Sequence, residues 1–193
     1  MSTTMVPPVP TVPAASVATA DARPERRVAE TGVWIAIATI SMSFAALTSA
    51  LVVRQSSGPD WRHLQLPSLL YVNTLVLLAS SMTLESSRRH RGSFGLHATL
   101  LLGVLFLVGQ VFAWRQLATQ NVLLATGPSS AFFYVFTVLH ALHVLGGLGG
   151  LGLVERRLVA GVLGRTTFKA AALYWHFMAV LWLYLLALLT IRG

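Results

Sequence analysis

The chain has 193 residues, of which 55% are hydrophobic and 10% charged, and its mean hydropathy is +0.70. Average soluble domains carry about 25% charged residues, so a soluble domain is excluded and an integral membrane protein is expected. Lys and Arg number 14 against 6 Asp and Glu, a net charge of +8, but these basic residues stand between apolar runs and read as orientation signals rather than a nucleic-acid surface.

Residues 1–30 open with Pro7, Pro8, Pro10 and Pro13 and close on the charged stretch from Asp21 to Glu30. No basic segment leads into an apolar one, so a secretory signal peptide is not expected, and a disordered or loosely held cytoplasmic tail is. Five runs then reach the ~20 apolar residues that a membrane crossing requires. They are predicted over residues 33–53, 64–84, 92–114, 129–154 and 170–191. Pro67 falls in the first turn of the second run, where a missing N–H costs little. The charge-free stretch 116–154 is too long for one span, and its polar start around Gly127 and Pro128 places the fourth helix at 129–154. Uninterrupted apolar runs are not the alternating pattern of a barrel. The expected fold is all-α, a five-transmembrane-helix bundle formed by residues 31–193.

Ten basic residues fall on the side of the N-terminal tail and the second-to-third and fourth-to-fifth connections, while Arg54, Arg62, Arg115 and Arg192 fall on the other. This asymmetry predicts a cytoplasmic N-terminus and a C-terminus outside.

The absence of cysteine excludes disulfides, thiolate metal sites, iron–sulfur clusters and cysteine nucleophiles. On the fourth helix Phe133, Phe136, His140, His143, Gly147, Gly150 and Val154 follow one another at alternating spacings of three and four, a single packing seam. Gly146 and Gly150 add a small-xxx-small pair that invites close approach of a neighbouring backbone. His140 and His143, with His176 on the last helix, have the chemistry to ligate a metal or haem. Intramembrane histidines are more often satisfied by hydrogen bonds across a helix interface, and no acid nearby in sequence orients these rings. No metal-binding, cofactor-binding or catalytic residue is therefore assigned.

Asn73, Ser80, Ser81 and Thr83 on the second helix and Gln110 on the third read as interhelical hydrogen-bonding groups, with a substrate pathway as the alternative. Glu85 is an acid at the end of its span, but Arg88 and Arg89 at i+3 and i+4 favour a rim ion pair over a proton relay. Tyr174 and Trp175 read as interfacial belt residues and Trp182 as a packing residue on the same face. Taken alone, these residues describe a non-enzymatic bundle with polar interhelical seams, a component of something larger.

Three segments resemble subunit III of the haem–copper oxidases. The run from Tyr71 to Ser81, with Asn73, Thr74, Ser80 and Ser81, is similar to the family's NT-x-x-L-L-x-S-S helix. Phe133, Thr137, His140, His143, Val144 and Gly147 match its histidine-bearing helix, and Tyr174-Trp175-His176-Phe177 with Val180 and Trp182 match its last one. The segment from Gln110 to Trp114 resembles the family's Q-x-x-E stretch more weakly. The likeness covers residues 30–193 and fits the five-helix form that lacks the first two of seven helices.

The resemblance implies a subunit with no cofactor of its own. Haem and copper are expected in partner subunits, and bound phospholipid is expected here. Its expected partners are the catalytic subunit I, subunit II and small subunits, in a bacterial plasma-membrane complex that a respiratory supercomplex extends. Asn73, Ser80, Gln110, His140, His143, Trp175, His176 and Trp182 become structural, intersubunit or lipid-contact residues. The chain departs from the pattern at Met42, Ala113 and Ala179, where acids are usual, and at Leu139 and Ala141, where glycines are. Losing three membrane acids weighs against a proton-handling role. A cytochrome c oxidase is the first expectation. The rivals are a quinol oxidase subunit III, a nitric oxide reductase accessory subunit, an assembly factor and an independent small transporter.

Overall fold

A computed structural model describes the backbone of residues 14–58, 61, 66–90, 93–121, 126–161 and 165–192, and the side chains of these except 14–29, 89, 90, 93 and 165. Among the described residues there are five helices and no strand: α1 (Ala14–Ser57), α2 (Leu69–His90), α3 (Ser93–Thr119), α4 (Pro128–Val159) and α5 (Arg165–Arg192). Each holds a stretch long and apolar enough to cross a membrane: Glu30–Ser57, Leu69–Arg88, Phe94–Thr119, Pro128–Val159 and Thr166–Arg192. The all-α five-span expectation is met.

The helices outrun the predicted spans because hydropathy marks where lipid ends, not where the backbone stops coiling. α1 is helical from Ala14, within the segment expected to be a loose tail; this Ala-rich stretch has high helix propensity whatever its polarity. Residues 1–13 lie outside the described residues. α4 runs through Glu155, Arg156 and Arg157 to Val159, past the predicted end at 154. The α2 prediction errs the other way. Its helix starts at Leu69, and Pro67 precedes it, its carbonyl accepting the Leu70 N–H at 3.0 Å. Proline disfavours the α conformation in the residue before it, and α2 accordingly begins after Pro67 rather than before it.

The remaining ends follow local chemistry. Pro128 stands at the start of α4, and the Ser130 hydroxyl accepts the Gly127 N–H at 3.1 Å. Asn121 (φ 60°) and Gly161 (φ 70°) turn the chain after α3 and α4 in the left-handed region these residues tolerate.

α2 and α3 form the most extensive pair, α3 packs on α4 and α4 on α5, and α5 returns against both α1 and α2. α1 touches α4 lightly and, among the described residues, does not pack on α2 or α3. α1 and α5 run parallel: Tyr184 Oη donates to Thr48 Oγ1 at 3.0 Å, and Trp61 Nε1 donates to the Arg192 carbonyl at 2.9 Å beyond their ends. α5 is the most enclosed helix and α1 the least.

Large side chains fill the centre: Trp175, Trp182, Phe44, Phe106, Phe133 and Phe136 are fully buried. Outward faces carry Met42, Leu75, Leu101, Phe112 and Leu142, all exposed and apolar, as a surface meant for lipid or protein requires.

The close approach expected at Gly146 and Gly150 occurs elsewhere. A Cβ at either position would meet nothing within 4 Å. The inward face of α4 passes from Gly147 to Leu151 and Val154, leaving Gly146 and Gly150 turned away. Two of the tight sites flank Trp175. A Cβ on Gly103 of α3 would lie 2.7 Å from Leu148 Cδ2 and 2.8 Å from Trp175 Cη2, and one on Gly147 would lie 3.0 Å from Tyr174 Cε1.

Gly103→Ala is therefore expected to cost about 1–3 kcal/mol through overpacking. Gly150→Ala should leave the stability of the chain unchanged or raise it, since alanine is the better helix former. Thermal unfolding midpoints of the two variants in detergent check the contrast.

Candidate functional site

The polar side chains singled out above meet along one interior seam. Ser80 on α2, buried, accepts the indole N–H of Trp175 on α5 at 3.1 Å and donates to the Thr99 carbonyl on α3 at 3.2 Å. Thr99 Oγ1 pairs with Thr83 Oγ1 at 2.9 Å and bonds the Gly95 carbonyl of its own helix at 2.8 Å. Two turns along, Trp182 Nε1 donates to Thr74 Oγ1 at 2.9 Å, and Thr74 donates to the Leu70 carbonyl at 2.8 Å. Asn73 reaches across to the Phe106 carbonyl at 2.9 Å and fits because Gly109 lies opposite, where any Cβ would strike its amide oxygen. On the α3–α4 side, Trp114 Nε1 donates to Thr137 Oγ1 at 3.0 Å.

Each bond has the same logic. An indole N–H buried in lipid has no water to turn to, and a hydroxyl on the next helix supplies an acceptor while returning its own proton to a backbone carbonyl. Trp175 is thus not the interfacial belt residue expected from sequence. α5 begins at Arg165, so Trp175 lies well inside the helix, fully buried.

The three histidines do three different things. His140 is fully buried and, among the described residues, makes no side-chain hydrogen bond; its ring centroid lies 5.0 Å from Trp182 and 6.0 Å from Phe106, the latter edge-on. His143 Nδ1 is 2.7 Å from the Leu139 carbonyl one turn back on its own helix, and its ring meets Phe44 edge-on. The interhelical hydrogen bonds expected of these two are not made, because aromatic neighbours occupy the interface they face. His176 does bond across an interface, through Nδ1 to Ser81 Oγ on α2. Gln110 is buried, and neither of its amide atoms has a hydrogen-bond partner among the described residues.

Acids stay at the rim. Glu85 holds Arg88 at 2.7 Å, as the i+3 spacing anticipates, and lies 4.0 Å from His176 Nε2; the Arg89 side chain lies outside the described residues. A second pair, His97 Nε2 to Glu155 Oε1 at 2.7 Å, ties the start of α3 to the end of α4. Sequence reading missed it because Glu155 falls just past the predicted end of its span. Among the described residues no three His, Cys, Asp or Glu side chains gather as a metal site.

The positions that depart from the family pattern divide by burial. Met42 faces outward on α1, whereas Ala113 and Ala179 are buried. An acid at either of the latter would need a partner that a small methyl does not.

Ser80→Ala strands the Trp175 N–H in the core and is expected to cost about 1–3 kcal/mol. Ser43→Ala, at an exposed serine bonded only within its own helix, should cost less than ~0.5 kcal/mol. Thermal unfolding in detergent distinguishes them, and equal losses would contradict the role given to the seam.

Comparison with known proteins accounts for this arrangement. The sequence profile described as cytochrome c oxidase subunit III matches residues 33–193. Cytochrome c oxidase subunit 3 of Synechocystis sp. is 31% identical over 172 residues, covering 81% of this chain and 72% of the relative. The Corynebacterium diphtheriae protein of that name is 28% identical, covering 74% and 77% of the two chains. That of Bacillus sp. strain PS3 is 26% identical, covering 84% of each. With five membrane-crossing helices and a profile match running through all of them, the chain is a member of the cytochrome c oxidase subunit III family.

Proposed function

We propose that this chain is the subunit III of a bacterial haem–copper terminal oxidase fed by cytochrome c, in which it packs on the catalytic subunit I, holds phospholipid and has no catalytic centre of its own. Haem and copper sit in partner subunits, and oxygen reduction and proton pumping take place there. This chain sustains turnover by keeping the catalytic subunit's flank ordered and shielded. It lies in the plasma membrane with its N-terminus in the cytoplasm and its C-terminus outside, following the excess of basic residues on the tail side.

The observation that carries this reading is the unbroken family match over residues 33–193. The side-chain geometry supports it. Indoles and hydroxyls bond to one another inside the bundle, while the outward faces of α1 to α4 offer apolar side chains to lipid or to a larger partner.

A tag on this chain, gentle detergent extraction, mass spectrometry of the co-purifying subunits and a reduced-minus-oxidised spectrum test the proposal. A stoichiometric large subunit with haem A bands is expected. Haem B or O bands alone would assign the chain to a quinol oxidase or nitric oxide reductase, and a colourless solitary chain would refute the oxidase assignment.

Replacing His140 or His176 by Ala is expected to weaken assembly or speed inactivation during turnover several-fold, with the haem bands unmoved. His140→Ala opens a cavity between Phe106 and Trp182, and large-to-small changes at such buried sites cost about 2–5 kcal/mol. A shifted haem band in either variant would contradict a purely structural role.

A further inference from the structure

Two side chains break the rule that the rest of the seam obeys. Gln110 Nε2 and Oε1 and His140 Nδ1 and Nε2 are the buried side-chain polar atoms that lack a hydrogen-bond partner among the described residues. Their burial is essentially complete, 1% exposure for Gln110 and 0% for His140. Both belong to the same layer of the α3–α4 interface. Phe106, one turn before Gln110 on α3, packs edge-on against His140. Trp114, one turn after Gln110, bonds to Thr137, one turn before His140 on α4. Gln110 is therefore bracketed by two contacts to the segment that carries His140.

Unpaired polar atoms in a lipid-embedded core are costly, and nearly all such groups in proteins are satisfied by protein or by ordered water. A carboxamide offers two donors and an acceptor, and a neutral imidazole one of each. Thr137 is already committed, accepting from Trp114 and donating to the Phe133 carbonyl at 2.8 Å. A water needs two to four polar partners, and these two side chains supply them. We propose that Gln110 and His140 form a binding site for internal water in the middle of the α3–α4 interface, one or two molecules bridging the carboxamide to the imidazole. The site makes this interface a hydrated one, in contrast to the α2–α5 interface, where Ser80 accepts the Trp175 N–H directly.

The two buried tryptophans provide the test. Trp182 lies against the His140 ring, whereas Trp175 is equally buried and bonded to Ser80. Millisecond X-ray hydroxyl-radical footprinting in ¹⁸O-labelled water, on the detergent-purified assembly that contains this chain, generates radicals from bound internal water as well as from bulk. Trp182 is expected to be oxidised at least several-fold faster than Trp175, and Gln110→Leu is expected to remove that excess. His140→Phe serves the same purpose if the Gln110 variant does not assemble. Oxidation of Trp182 no faster than Trp175 in the unsubstituted chain overturns the proposal and favours a direct Gln110–His140 hydrogen bond. An excess that survives in either variant also overturns it, because the water would then belong to other groups.

Discussion

The structure depends on one constraint: inside a bilayer, every polar atom must find its partner within the protein. Helical backbones meet it by themselves, but the indole N–H of a buried tryptophan does not. Trp175 and Trp182 on α5 each require an acceptor on another helix, and Ser80 and Thr74 of α2 provide it. Their spacing matches: Trp175 and Trp182 are seven residues apart, Thr74 and Ser80 six. Two helices running in opposite directions are thereby pinned at two depths, which fixes both rotation and register.

Shape follows from this pinning. Trp175 enters only where α3 and α4 lack side chains, at Gly103 and Gly147, and Asn73 reaches the α3 backbone only beside Gly109. At Gly103, Gly147 and Gly109 the missing side chain makes room for a larger partner. Gly146 and Gly150, which have the spacing of a contact pair, would bring an added Cβ within 4 Å of nothing among the described residues. Polarity without charge fills the interior, and Glu85 and Glu155 stay near the helix ends beside Arg88 and His97. The helices are held together by neutral hydrogen bonds such as Trp175 to Ser80 and Trp182 to Thr74.

The departures from the family pattern fit this interior. Ala113 and Ala179 are buried among apolar and aromatic neighbours, where methyl groups pack without a counter-charge. Met42 is different, because it looks outward from α1. A change of polarity there alters what the chain presents to lipid or a partner, not how the bundle is held.

Much of this protein is legible in the order of its residues. Apolar run length alone sets the number of crossings, because the thickness of a bilayer is a fixed ruler. The motif around Asn73 and Ser80, the paired histidines of α4 and the Tyr-Trp-His-Phe run of the last helix point to the family. Pairings are a different matter, since they depend on which helix faces which. Sequence assigns His140 and His143 the same hydrogen-bonding role, yet the rotation of α4 buries one ring among aromatics and turns the other back onto its own backbone. It reads Trp175 as a belt residue because the helix start lies outside the apolar run and only the coiled backbone shows it. The His97–Glu155 pair joins positions far apart in the chain, and no spacing rule anticipates it. Composition and hydropathy act along the chain and determine how often it crosses the membrane. Rotation and register arise between helices, where side-chain shape and hydrogen-bond geometry choose the partners.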